Sequence, residues 1–307
     1  MANLSVNLGG ITLRNPVITA SGTFGYGEEY RDLVPLERVG AITVKGVSPQ
    51  PCDGNPMPRT CEVFGGMLNA IGLQNPGISR FVSDPHYLPF LRTLSCPVIV
   101  NVWGRTVDEY AEVAARLEAE KKGIAALEIN ISCPNVKAGG IAFGTDRELA
   151  ARVVSAVRSQ TGLPLITKLS PNVTQIAEFA RACVDAGSDM LSLINTLTGL
   201  SVDLEKRRSR LANFTGGYSG PVLKPLALRM VYEVHQAVPK VPVIGMGGVT
   251  NGIDALEFMM AGARAVGVGT AIFADPQCLL RIPDEMNRWL DAHGVDDVNE
   301  IVGTLER

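Results

Sequence analysis

The chain has 307 residues, 46% hydrophobic and 19% charged, enough to bury a large core and within the size range of one α/β barrel or two ordinary domains. Its formal net charge is only −3 and its Lys and Arg are scattered, so no basic stripe points to nucleic acid or an anionic membrane surface as a partner. Six cysteines, at 52, 61, 96, 133, 183 and 278, form no CxxC pair or cluster, which argues against zinc, an iron–sulfur cluster held by this chain alone, or a disulfide framework, and fits a reducing compartment.

In chain order, the N-terminal MANLSVNLGG lacks a charged region followed by an apolar core, and no stretch approaches the roughly 20 apolar residues that span a bilayer. A cytoplasmic location without membrane contact is expected. Residues 1–14 carry two short alternating segments around Gly9 and Gly10, the pattern of a β-hairpin plugging the far end of a barrel. Eight short apolar runs follow: PVITA at 16–20, AITVK at 41–45, PVIVNV at 97–102, ALEINI at 126–131, PLITKL at 164–169, MLSLIN at 190–195, PVIGM at 242–246 and AVGVG at 265–269. Between them, Val107, Tyr110, Ala111, Ala114 and Leu117 recur at helical spacing, as do Ile176, Phe179, Ala180, Cys183 and Val184. Strand and helix alternating in this way predict parallel strands, and eight units in this length favour a single (β/α)8 TIM barrel over 1–307 rather than an open doubly wound sheet with an early GxGxxG turn. Two insertions, 46–76 after strand 2 and 197–222 after strand 6, exceed ordinary barrel loops and mark function or a partner. The charge run Glu205 to Arg210 within the second reads as a solvated turn.

Active sites of such barrels lie at the C-terminal strand ends, so the polar residue closing each run is a candidate. These are Ser21 with Gly22, Lys45 with Gly46, Asn101, Asn130 with Ser132 and Cys133, Lys168, and Asn195 with Thr196. Two lysines and three asparagines aimed at one mouth call for an anionic or electron-rich ligand to offset their desolvation. IGMGGVTNGIDAL and VGVGTAIF place Gly247, Gly248, Gly269 and Thr270 between strand and helix, where backbone NH groups can cradle a phosphate. Within AALEINISCPNVKAGGIAFG, from Ala125 to Gly144, Pro134 ends the strand just after Cys133 and a flexible Gly139-Gly140 loop follows. Cys96 and Cys183 read as packing, whereas Cys133 sits where a thiol can meet a ligand. His86, His235 and His293 fall in connections or helices, which leaves that thiol as the best candidate base.

The strings NISCPNVK, NAIGLQNPG, IGMGGV and VGVGTAIF resemble the catalytic subunit of class 1 dihydroorotate dehydrogenases, more closely class 1B, over nearly the whole chain. That resemblance implies FMN-dependent oxidation of (S)-dihydroorotate to orotate in pyrimidine (UMP) biosynthesis, with Cys133 removing a proton from C5 while hydride passes from C6 to flavin N5. It implies that Ser21, Lys45, Gly46, Asn101, Asn130, Lys168, Ile194, Gly220, Gly247, Gly248, Gly269 and Thr270 line the flavin. Substrate would be held by Lys45, Asn69, Ala70, Ile71, Gly72, Leu73, Asn130, Asn195 and Thr196, with no metal. A thiol with an ordinary pKa of about 8.5 is only slightly ionised at neutral pH, so a cysteine base predicts activity that rises with pH. Trp103 departs from the family, where a smaller side chain is usual, and reads as packing at the barrel rim.

The chain offers no GxGxxG unit for NAD and no cysteine set for a cluster. The class 1B resemblance implies an electron-transfer subunit carrying FAD and a 2Fe-2S cluster that passes electrons to NAD, in a heterotetramer built on a homodimer of this chain. The rival within the family is the class 1A homodimer that reduces fumarate; the class 2 pattern, with a serine base and a hydrophobic N-terminal extension, is not matched. Outside the family, Lys168 at a strand end also suits a flavin-free barrel lyase working through a Schiff base.

Overall fold

Eight apolar runs pair in parallel into one sheet: β1 (Val17–Thr19), β2 (Ile42–Thr43), β3 (Val98–Val102), β4 (Ala126–Asn130), β5 (Leu165–Lys168), β6 (Met190–Leu193), β7 (Val243–Met246) and β8 (Ala265–Val268). The computed structural model describes residues 1–132 and 143–306. The strand order is β1-β8-β7-β6-β5-β4-β3-β2, and a parallel bridge between Ile18 and Ala41 brings β1 and β2 together, nearly closing the barrel. All five positions of β3 and of β4 are buried, as expected of parallel strands covered on both faces. Each strand is one to three residues shorter than its sequence run.

The outer helices form where apolar spacing and capping agree. Val107–Ala119 buries Tyr110, Val113, Ala114 and Leu117, and Thr106 caps it by accepting from the Glu109 amide at 3.2 Å. Ile176–Asp185 buries Ile176, Ala180 and Cys183. Cys96 and Cys183 are packing residues, their thiols pushed up by burial to about 11 and about 12.

The N-terminal hairpin pairs Val6–Leu8 with Ile11–Leu13, and Leu8 and Leu13 are fully buried. At its turn, a Cβ on Gly9 would lie 2.7 Å from Met190 Sδ at the start of β6, so the hairpin packs on the end of the barrel opposite the mouth. The two long insertions join each other, which sequence order does not announce. Thr60–Val63, Gly66–Asn69, Gly216–Ser219 and Leu197–Gly199 form a four-stranded antiparallel sheet beside the mouth. Gly66 is required there, since a Cβ would lie 1.9 Å from the Ser219 carbonyl oxygen. Of the charge run Glu205 to Arg210, Glu205, Lys206 and Arg207 lie in an exposed turn that joins Val202–Asp203 to its antiparallel partner Arg208–Ser209, and a Lys206–Asp203 ion pair at 3.3 Å closes it.

Behind the loop after β7, Asn251 and Asp254 form a reciprocal cap on Gly252–Met260, and Asp254 also accepts from Lys224 Nζ at 2.6 Å and Thr250 Oγ1 at 2.7 Å. Burial acts to raise the Asp254 carboxyl, but the hydrogen bonds from Lys224 and Thr250 outweigh it and hold the group below its ordinary range. A carboxylate with a lowered folded pKa stabilises above its unfolded pKa and ceases to as pH falls through the folded value. Asp254→Ala is therefore expected to cost about 1–3 kcal/mol near neutrality. In denaturant unfolding, the difference from wild type should shrink as pH drops below about 4; a pH-independent difference would rule the ionised contact out.

Candidate active site

The C-terminal ends of the strands open on a cavity of about 490 Å³. All the residues expected around the flavin line it, from Ser21 after β1 to Gly269 and Thr270 after β8. Of the residues expected around the substrate, Lys45, Asn69, Ile71, Gly72, Leu73, Asn130, Asn195 and Thr196 line it as well. Ala70 does not. It is fully buried in a satellite cluster with Leu68 and Leu211 under the four-stranded sheet, because neighbours along an extended segment face opposite ways. Cys133, with Pro134, Gly139 and Gly140, lies outside the described residues.

Strand register sets the polar residues side by side. Asn101 pairs with Glu128, Asn130 with Lys168, and Lys168 with Ser192 across β3 to β6. Lys168 is 4% exposed, donates from Nζ to Ser21 Oγ at 3.2 Å and makes no ion pair among the described residues. A buried ammonium held by one hydroxyl favours a negatively polarised ligand. Asn195 Nδ2 donates to Ser132 Oγ at 2.8 Å, and Tyr110 Oη donates to the Asn130 carbonyl at 2.8 Å, anchoring the end of β4 immediately before Cys133.

Gly247 and Gly248 have φ of 126° and 85°, where an L side chain is strained, and a Cβ on either would meet Ala227 Cβ or the Lys224 backbone nitrogen at 2.9 Å. With Gly269 they bring backbone without Cβ atoms to the cavity at two turns, next to Thr270, the form of a phosphate cradle. The residues present fit FMN: glycine turns for its phosphate, a buried ammonium for its ring, and Ile194 and Met246 for apolar contact.

Several cavity residues went unnoticed in sequence. Met67 and Ser219 come from the insertion sheet, and Phe273, Cys278 and Arg281 from the segment after β8. Arg281 is held by Asp275 at 3.0 Å and Glu285 at 2.9 Å, and the Cys278 thiol is pushed up by burial to about 11. Trp103 does not line the cavity. It is 2% exposed and packs behind Gly46, whose Cβ would lie 3.0 Å from its Cδ1, with the Arg105 guanidinium 5.8 Å over its ring.

A parallel barrel that gathers two glycine turns and a buried lysine at its C-terminal mouth is a barrel enzyme of the kind that binds a phosphorylated ligand there. The family model described as dihydroorotate dehydrogenase matches residues 3–290. Two curated relatives, from Geobacter sulfurreducens and Geotalea uraniireducens, are 62% and 60% identical over 99% of this chain and 98% of their own lengths; both are named dihydroorotate dehydrogenase B (NAD(+)), catalytic subunit. The crystal structure of DHODH in complex with ferulenol from Eimeria tenella has a TM-score of 0.82 at 25% identity, covering 98% of this chain and 88% of that one. The chain belongs to the dihydroorotate dehydrogenase family.

Proposed function

We propose that the chain is the catalytic subunit of an NAD-linked dihydroorotate dehydrogenase, oxidising (S)-dihydroorotate to orotate in pyrimidine biosynthesis. The observation that carries this reading is the convergence of Ser21, Lys45, Asn101, Asn130, Lys168 and the glycine turns on one cavity, in a chain so close to the named relatives. FMN, when bound, supplies the acceptor for the hydride leaving C6. The chain supplies the rest. Cys133 takes the proton from C5, so that loss of a proton and a hydride together leaves the C5–C6 double bond of orotate. Lys168 offsets negative charge that develops on the reduced ring. The amides of Asn69, Asn130 and Asn195, with Thr196, pair with the carbonyl and NH edges of the pyrimidine, and Lys45 offers a cation to its carboxylate.

The words "catalytic subunit" in the relatives' names support a second chain that carries electrons onward. On this reading that partner holds FAD and a 2Fe-2S cluster, joins a dimer of this chain in a heterotetramer and works in the cytoplasm. Among the described residues no helix is long and apolar enough to cross a membrane. The expected result is dihydroorotate-dependent NAD reduction by the co-purified subunits and little reduction of fumarate by this chain alone. Full-rate fumarate reduction without a partner would contradict the NAD-linked assignment.

A further inference from the structure

Glu128, on β4, stands just behind the cavity wall and has no part in the chemistry above. It is 2% exposed, is not among the cavity-lining residues and makes no ion pair among the described residues. Its Oε2 accepts from Asn101 Nδ2 at 2.5 Å, and its Oε1 accepts from Ser192 Oγ at 2.8 Å. An asparagine amide donates on one side and accepts on the other, whereas a carboxylate only accepts. Reversing Asn101 would set its oxygen against a carboxylate oxygen, so the contact with Glu128 fixes which way that amide faces.

The orientation passes from residue to residue. With its nitrogen held, Asn101 turns Oδ1 toward Asn130, whose Nδ2 lies 3.5 Å away, the longest link in the chain. Asn130 Oδ1 then accepts from Ser132 Oγ at 3.2 Å, and Ser132 Oγ accepts from Asn195 Nδ2 at 2.8 Å. Asn195 Oδ1 is left to accept from the Thr196 amide at 2.8 Å. In the other direction, Asn101 Nδ2 also donates to Ser21 Oγ at 3.3 Å, alongside Lys168 Nζ at 3.2 Å. A hydroxyl that accepts twice keeps its own hydrogen for a third group, and Ser21 lines the cavity.

We propose that Glu128 is a positioning residue whose carboxylate sets the hydrogen-bond polarity of Ser21, Asn101, Asn130 and Asn195 around the bound ligand. The proposal rests on the FMN reading of the cavity and deepens it. A buried polar network orders its neighbours only while each member is satisfied.

The test is fluorescence titration of apoprotein with FMN, together with thermal unfolding of the same apoprotein. Replacing a buried charge with an apolar side chain of similar size is often neutral or stabilising, so a purely structural Glu128 predicts that Glu128→Leu keeps both stability and affinity. Positioning predicts a split: unfolding within ~3 °C of wild type, with the FMN dissociation constant raised about 10-fold or more. Glu128→Gln still offers Asn101 an acceptor and is expected to bind FMN within about 3-fold of wild type. Wild-type affinity in the leucine variant would overturn the proposal. If that variant does not fold, Glu128→Gln decides: affinity near wild type supports the proposal, and a 10-fold loss overturns it by showing that charge rather than polarity matters. Wild-type protein that binds no FMN would instead bring down the cofactor reading, and this proposal with it.

Discussion

Cys133→Ala should lower turnover with dihydroorotate by about 10²–10⁴-fold, the usual contribution of a positioned general base. The C5 hydrogen is not acidic enough to leave unaided, and Cys133 is the proposed base; the residues that precede it in the chain are held, Asn130 at the end of β4 by Tyr110 at 2.8 Å and Ser132 by Asn195 at 2.8 Å. The described cysteines buried in the core, Cys96, Cys183 and the cavity-lining Cys278, have thiols that burial pushes up to about 11, about 12 and about 11, so none of them substitutes for the lost base. With a thiolate as the reactive form, wild-type activity should rise as pH climbs toward the ordinary thiol range near about 8.5. The alanine variant loses that rise while its flavin content stays unchanged. Stopped-flow flavin reduction across pH checks both points; a variant with the wild-type rate at every pH would remove Cys133 from the mechanism.

Lys168→Met should have the next largest effect, slowing flavin reduction by about 10²–10³-fold, comparable to removing one preorganised donor from an oxyanion site. The ammonium is 4% exposed and rests on Ser21 Oγ alone among the described hydrogen-bond partners, so its charge is available to a ligand rather than neutralised by the protein. Methionine keeps the length and apolar stem, which separates loss of charge from loss of packing. The reduction potential of the bound flavin should fall in the variant, because the reduced ring loses its counter-charge. An unchanged potential and rate would mean that Lys168 only fills space.

The barrel was legible because parallel strands covered on both faces are written as short apolar runs, and the mouth was legible because each run stops at a polar or glycine residue. Less local features were hidden. Nothing in sequence shows that Gly66–Asn69 pairs with Gly216–Ser219, since their register depends on chain far removed from either. Ala70 departs from the expected lining segment because extended chain alternates, with Asn69 and Ile71 toward the cavity and Ala70 away. Glu128 lies inside the run ALEINI, where residue type alone does not show which way it faces. Its parity with Asn130, opposite to Leu127 and Ile129, was the signal that it faces the barrel interior with the other polar groups.

The central claim, a flavin held at this mouth and reduced by dihydroorotate, is tested most directly by mixing the purified chain with dihydroorotate under anaerobic conditions and following its visible absorbance. The account predicts a yellow protein whose flavin band bleaches within a turnover and returns when an electron acceptor is added. A colourless protein, or a flavin band that dihydroorotate leaves untouched, would contradict it.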